Sequence, residues 1–445
     1  MSQTAHPPSD DGPLLEVSGL RKHFVQNDDF LDRLFGDAET VKAVDGVDLT
    51  VDAGETVGIV GESGCGKSTL AETVARLQNP TDGTIRYKGT ALEELSGRKM
   101  KPYRREIQMI FQDPLSSLHP RQTVGEILTA PLEVHGIGDS DEERLDIAKS
   151  HIERVGLDPS HLDRYPNQFS GGQQQRIGIA RALTLEPELI IADEPVSGLD
   201  VSVQAQILSL LNDIQSELGI SIVFIAHDLS VIRYVADRVA VMYLGEIVER
   251  APTDALFEDP AHPYTRALLS SVPRIEPEKR TDRIRLRGTV PSPLDPPSGC
   301  HFHPRCPAVI PPDDWPGDQE AFRAGLEFRK QLRVEEIDLD ALRGRLDAST
   351  ERITDADLRD ELIAETLSVP LDRLPVPARE SVQEAATAVV DGEAERAASL
   401  LADRFYTPCE ERKPETVEPT PGHRVACHRV DPDAPGDPNR PEGDR

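Results

Sequence analysis

Gly61-Glu62-Ser63-Gly64-Cys65-Gly66-Lys67-Ser68 places three glycines ahead of a Lys-Ser pair, the pattern of a loop that cradles phosphates. Glycines let backbone N–H groups wrap an anion without Cβ clashes. A helix expected over 67–78 would point its positive N-terminus at the same charge. Lys67 is then placed to reach β- and γ-phosphates, Ser68 to hold Mg²⁺ through its hydroxyl, and Thr69 to extend the same turn. Cys65 lies where the backbone does the binding, so its thiol reads as incidental.

The second candidate is Leu189-Ile190-Ile191-Ala192-Asp193-Glu194-Pro195, an apolar run ending in two carboxylates. An Asp-Glu pair after a strand is usually a solvated loop start. Beside a phosphate loop it suits Mg²⁺ ligation by Asp193 and polarisation of an attacking water by Glu194. Positioning both requires strands that end at one edge of a sheet. Runs 54–61, 106–112, 188–193 and 220–227 read as buried strands, and 67–78, 142–155, 173–185 and 202–218 as helices. That alternation predicts an α/β architecture with a largely parallel sheet, closed by a hairpin over 238–250.

Phe169-Ser170-Gly171-Gly172-Gln173 precedes the second element, and here the chain resembles the ATP-binding cassette (ABC) family, whose signature reads LSGGQ; Phe169 stands where that pattern has Leu. The resemblance covers about residues 14–250 and implies a P-loop NTPase cassette: a RecA-like core with a mixed, mainly parallel sheet, plus a helical subdomain over about 113–182. It implies ATP and Mg²⁺ as cofactors, with two cassettes closing face to face around two ATP molecules. Gly61 through Thr69 would bind nucleotide, with Lys67, Glu194 as general base, and His227 as the catalytic set. Ser68, Gln112 and Asp193 would serve Mg²⁺, Gln112 also relaying to a membrane subunit. Ser170, Gly171, Gly172 and Gln173 would cap the γ-phosphate held by the opposite cassette. Asp200, in Ser197-Gly198-Leu199-Asp200, would cross the dimer interface, and Phe24 would stack on adenine.

AHPYTRALLSSVP (261–273), TVPSPLDPPSGCHFHPRCP (289–307), GHRVACH (422–428) and FQDPLSSLHPRQTVGEIL (111–128) resemble the oligopeptide/dipeptide importer branch of that family. The branch implies two transmembrane permease subunits, a second cassette (a paralogue or this chain itself) and an extracytoplasmic solute-binding protein. It implies a peripheral place on the cytoplasmic face of the membrane, with peptides, nickel or related small solutes as cargo. The rival class is a soluble ABC ATPase of DNA repair or translation. Against it, residues 70–168 carry no heptad coiled coil and the chain holds one P-loop. With 79 acidic against 49 basic residues, the formal charge of −30 also repels nucleic acid. So acidic and Lys-poor a surface suits concentrated salt, where self-repulsion is screened. The polar N-terminus lacks a secretory pattern and no run reaches the roughly 18 apolar residues of a membrane span, so an intracellular location is expected.

Beyond 250 the composition changes. Residues 251–307 and 406–428 read as a transporter-type extension, irregular where proline is frequent (252–312). Residues 308–405 read as an acidic helical insertion, and 1–13 and 429–445 as disordered ends. Four of the five cysteines, Cys300, Cys306, Cys409 and Cys427, fall in this extension. Four thiolates could hold Zn²⁺ or a [4Fe–4S] cluster, with His301, His303 and His428 as substitute ligands. The insertion need not prevent their meeting, because loop-closure cost grows only logarithmically with length.

Overall fold

The computed structural model describes residues 12–25, 40–271, 283–333, 339–347 and 353–430. The expected disordered ends fall mainly outside these residues. The chain separates into two units: Met1–Ile284 with Pro291–Pro296 and Glu418–Val425, and Arg285–Val290 with Pro297–Val417 and Ala426–Arg445.

The first unit is built on two sheets. One has the order β2-β1-β4-β5, from β1 (Leu15–Val25), β2 (Thr40–Val51), β4 (Asp82–Tyr87) and β5 (Thr90–Ala91), all antiparallel. The other runs β11 (Thr416–Thr420), β12 (His423–Ala426), β10 (Glu246–Pro252), β9, β3, β8, β7 and β6. Its centre is parallel: β9 (Arg238–Tyr243), β3 (Thr56–Val60), β8 (Ser221–Ala226), β7 (Leu189–Asp193) and β6 (Ile107–Ile110). Every residue of β3, β7 and β8 is buried. That is why these strands appear as continuous apolar runs rather than alternating ones: a parallel strand is covered on both faces.

Parallel register brings the C-terminal ends of four strands to one edge. Val60 pairs with Ala226, Asp193 with Ile225, and Ile110 with Ala192. The residues that follow, the phosphate loop, His227, Glu194 and Gln112, therefore emerge together, as ligand-binding loops do in open α/β sheets. The phosphate-loop helix is Lys67–Val74, shorter than the expected 67–78. The helical stretches expected over 142–155, 173–185 and 202–218 are found as Asp141–Arg154, Gly171–Leu183 and Val201–Leu218.

The proline-rich connection departs from the irregular chain expected: Thr253–Glu258 and Pro263–Ser270 are helices. Pro263 occupies the first turn, where a missing N–H costs nothing, and the His262 side chain caps that turn by accepting from Tyr264 N. Further on, β12 (His423–Ala426) pairs with β10 (Glu246–Pro252), Glu249 opposite Val425, and β11 (Thr416–Thr420) lies outside it at the sheet edge. No alternation in the sequence signalled these two strands.

In the second unit, helices Gln319–Arg333, Leu339–Asp347, Asp355–Thr366, Val376–Val390 and Ala394–Arg404 bear out the helical reading of the insertion. Trp315, Phe322 and Phe405 form an aromatic cluster, with the Trp315 and Phe322 rings 5.1 Å apart. Gly325 admits Phe405, whose ring would lie 1.9 Å from any Cβ there. Buried Arg329 donates to the Phe405 carbonyl at 2.7 Å and pairs with Glu410. Among the described residues, no helix is long and apolar enough to cross a membrane.

Candidate functional site

The phosphate loop is wedged between two strands. A Cβ at Gly61 would lie 2.2 Å from the Met242 carbonyl oxygen, and one at Gly66 only 1.9 Å from that of Ala43. Gly66 also has φ +104°, so glycine is required there both for space and for backbone conformation. Lys67 is buried, and its Nζ donates to the carbonyls of Gly61 (2.9 Å) and Glu62 (3.0 Å), which hold the ammonium across the loop. Cys65 is buried and burial pushes its thiol up, in keeping with an unreactive side chain.

Ser68 Oγ donates to Asp193 Oδ1 at 3.1 Å, joining the two sequence elements read as the Mg²⁺ site. Burial raises the Asp193 carboxyl, an effect that the Ser68 hydrogen bond opposes and the neighbouring Glu194 reinforces. A divalent cation here would reverse that balance by favouring the carboxylate. Glu194 has φ +44°, a left-handed conformation that costs a non-glycine residue about 1–3 kcal/mol. Its N–H donates to the Ile225 carbonyl at 3.0 Å, which holds the turn. One carboxylate oxygen, Glu194 Oε2, faces both Gln112 Nε2 (3.1 Å) and His227 Nδ1 (3.2 Å). The carboxylate is thus held from two sides at the mouth of the phosphate loop, as a water-polarising base must be.

A cavity of about 420 Å³ gathers Phe24, Ser63–Thr69, Gln112, Glu194 and His227. Its volume lies within the range of small-molecule sites, and Phe24, which lines it, is an exposed aromatic. Ser170, Gly171, Gly172, Gln173 and Asp200 do not line this cavity. Ser170 and Gln173 cap the helix Gly171–Leu183 reciprocally, Ser170 Oγ accepting from Gln173 N and Gln173 Oε1 from Ser170 N at 3.0 Å. Asp200 caps Val201–Leu218, and its bonds from the Ser202 hydroxyl and Val203 N–H hold its carboxyl down. A Cβ at Gly172 would meet Val203 at 2.4 Å, so the two helix starts pack closely. Sequence reading missed Lys42, Leu244 and Pro293 as cavity residues; none belongs to a phosphate or carboxylate motif.

The second unit draws the four extension cysteines together across the insertion. Cys300 N donates to the Cys409 carbonyl at 2.8 Å, and Cys306, Cys409 and Cys427 are buried. Burial pushes the Cys306 thiol well up, and the charges of Cys409, Cys427 and Cys300 add to it. Clustered sulfur donors in an apolar setting fit a soft metal ion by chemistry. Among the described residues, however, no three His, Cys, Asp or Glu side chains stand in a ligating arrangement. Each of two neighbouring histidines has one ring nitrogen engaged: His303 Nδ1 contacts the Cys300 carbonyl and His428 Nε2 the Arg412 carbonyl.

Comparison with known proteins covers both parts of the chain. Residues 44–197 match the ABC transporter family model, 248–311 the oligopeptide/dipeptide transporter C-terminal region, and 319–422 a domain of unknown function, DUF8228. A dimeric structure of the cassette MJ0796 bound to ADP and Pi is 31% identical, covering 54% of this chain and 98% of that one with a TM-score of 0.48. YkfD of Bacillus subtilis (strain 168), named for oligopeptide transport, is 52% identical over 301 residues, 67% of this chain and 89% of its own. The oligopeptide transport ATP-binding protein AppF of the same organism is 51% identical over 301 residues, covering 67% and 90%. The chain belongs to the ATP-binding subunits of the oligopeptide/dipeptide ABC transporter family, and its cassette is an ATPase.

Proposed function

We propose that this chain energises the import of di- or oligopeptides across the cytoplasmic membrane. In that reading it works as one of two cassettes docked on two permease subunits and supplied by an extracytoplasmic binding protein. The observation that carries it is the pairing of a hydrolytic carboxylate, Glu194 between Gln112 and His227, with a cassette followed directly by the peptide-transporter C-terminal region. Ser68 and Asp193 would hold Mg²⁺, with Gln112 turning its amide oxygen to the ion once released from Glu194. Lys67 would neutralise the β/γ-phosphates, and Glu194 would accept a proton from the attacking water while His227 steadies its carboxylate. Ser170 through Gln173, with Asp200, would meet the nucleotide of the opposing cassette. Cys300, Cys306, Cys409 and Cys427 would hold Zn²⁺ or a [4Fe–4S] cluster that staples the second unit closed across its insertion. YkfD and AppF, both named for oligopeptide transport, favour this reading over a repair or translation cassette. A tagged chain recovered from its own membranes in mild detergent and high salt should carry two polytopic permeases and a second cassette. Recovery with ribosomes or DNA-repair proteins instead would overturn the transport reading and leave the ATPase standing.

A further inference from the structure

The cassette motifs leave two segments of the first unit without a role: the helix Pro263–Ser270 and the loop Pro291–Pro296. The loop lines the cavity through Pro293, and the helix touches the phosphate loop through Tyr264. The Tyr264 hydroxyl accepts a hydrogen bond from the backbone N–H of Glu62, inside the phosphate loop, at 2.9 Å. Its ring is wholly buried and stands edge-on to Tyr243 at 4.8 Å. Tyr243 directly follows Met242, whose carbonyl crowds Gly61. The helix bearing Tyr264 is itself pinned by the buried Glu249 carboxylate, which accepts from Ala261 N (2.7 Å) and His262 N (3.0 Å) and pairs with His423 Nε2 (2.7 Å). Tyr264 is therefore a fixed post against which the loop's backbone is set.

The second segment sits in the apolar part of the same cavity. Pro293 lines it together with Phe24, Val41 and Leu244, and its carbonyl accepts from Lys42 N at 3.1 Å, which fixes the loop. The polar lining comes from the phosphate loop, Lys42, Gln112, Glu194 and His227, and the base would meet the apolar side chains of Phe24, Val41, Leu244 and Pro293. A flat ring is held well between an aromatic face and rigid C–H groups.

We propose that the chain beyond the cassette completes the nucleotide site. Tyr264 is a positioning residue for the phosphate loop, and Pro293 forms with Phe24 the slot that takes the purine. The inference rests on the assignment of the cavity to ATP. The two roles separate by ligand: inorganic tripolyphosphate engages the loop and has no base to fill the slot. Tyr264→Phe should weaken ATP and tripolyphosphate alike by about fivefold, equivalent to ~1 kcal/mol for one lost hydrogen bond. It should also speed hydrogen exchange in the peptide spanning 58–66 without changing that of Val201–Leu218. Pro293→Gly keeps the carbonyl that Lys42 uses. It should weaken ATP about threefold, leave tripolyphosphate unchanged, and narrow the preference for ATP over CTP.

Binding is measured by titration calorimetry on the full chain, with Lys67→Ala as control. Wild-type affinities and exchange in Tyr264→Phe would overturn the positioning role. Equal losses of both ligands in Pro293→Gly, or an unchanged ATP/CTP ratio, would overturn the slot. Wild-type binding by Lys67→Ala would instead remove the nucleotide assignment itself, a distinct failure.

Discussion

His262 offers a quantitative handle on how the extension is fastened to the cassette. It is fully buried, and burial lowers its pKa from 6.5 to about 4, with Glu249 opposing the shift and Arg266 adding to it. Its Nδ1 accepts from Tyr264 N at 3.0 Å, so protonation would also destroy the helix cap. A histidine whose folded pKa lies below its unfolded value binds fewer protons when folded. No penalty arises well above pH 6.5; it grows as pH falls through the window between 6.5 and about 4, then levels off. With those two values, folding loses about 2 kcal/mol at pH 5 and next to nothing at pH 7 from this residue alone. His262→Asn keeps a good capping acceptor and removes the titration. Its smaller volume shifts stability by an amount that does not depend on pH. The expected result is that wild type loses about 2 kcal/mol more than the variant between pH 7 and pH 5. Urea unfolding at fixed salt, followed by far-UV circular dichroism, reads it out. The single tryptophan, Trp315, lies in the second unit, so its fluorescence would not report on this site. Parallel pH profiles for the two proteins would refute the reasoning.

Glu194→Gln keeps the shape of the carboxylate but cannot accept a proton; steady-state hydrolysis should fall at least about 100-fold while ATP binding persists, and wild-type turnover would remove its role as base. Cys306→Ser should abolish stoichiometric metal in an anaerobically purified chain, read by elemental analysis; a wild type lacking both iron and zinc would end the metal proposal. Gly325→Ala forces a methyl group into the Phe405 ring and should cost about 1–3 kcal/mol, visible as a lower urea midpoint in Trp315 fluorescence, whereas an unchanged midpoint would contradict the packing.

The catalytic half of the site was legible because its residues must be particular types at particular places. Gly66 has no room for a Cβ, Ser68 and Asp193 are joined by a hydrogen bond, and Glu194 and His227 each follow a fully buried strand. The strands themselves showed as apolar runs because parallel sheets bury both faces. Tyr264 and Pro293 gave no such signal. Each acts through contacts with residues far away in the chain, Glu62 and Lys42, and neither type is diagnostic of phosphate chemistry. The helix Pro263–Ser270 was obscured for a related reason: proline at a first turn starts a helix, yet in composition it counts as irregular chain. The hairpin of β11 and β12 depends on the partner edge of β10, which local pattern cannot supply.

The placement of Ser170 and Asp200 carries one further consequence. Both cap the starts of their own helices and neither borders the cavity that holds Lys67, Glu194 and His227. Ser170 Oγ accepts from Gln173 N, which leaves its O–H free to donate, and the helix start it caps presents Gly171 and Gly172, N–H-bearing residues suited to an anion. One chain therefore gathers Lys67, Ser68, Glu194 and His227 around one cavity, while Ser170 and Asp200 lie outside it. If the Ser170 side comes from another cassette, hydrolysis by the purified chain alone must be second order in protein below the dimerisation constant. Specific activity should double with each doubling of concentration in that range, then plateau. Adding an inactive Glu194→Gln chain in excess should raise turnover per wild-type molecule at low concentration, because its Ser170 region remains intact. A specific activity that stays flat from nanomolar to micromolar protein would mean that one chain closes its own site.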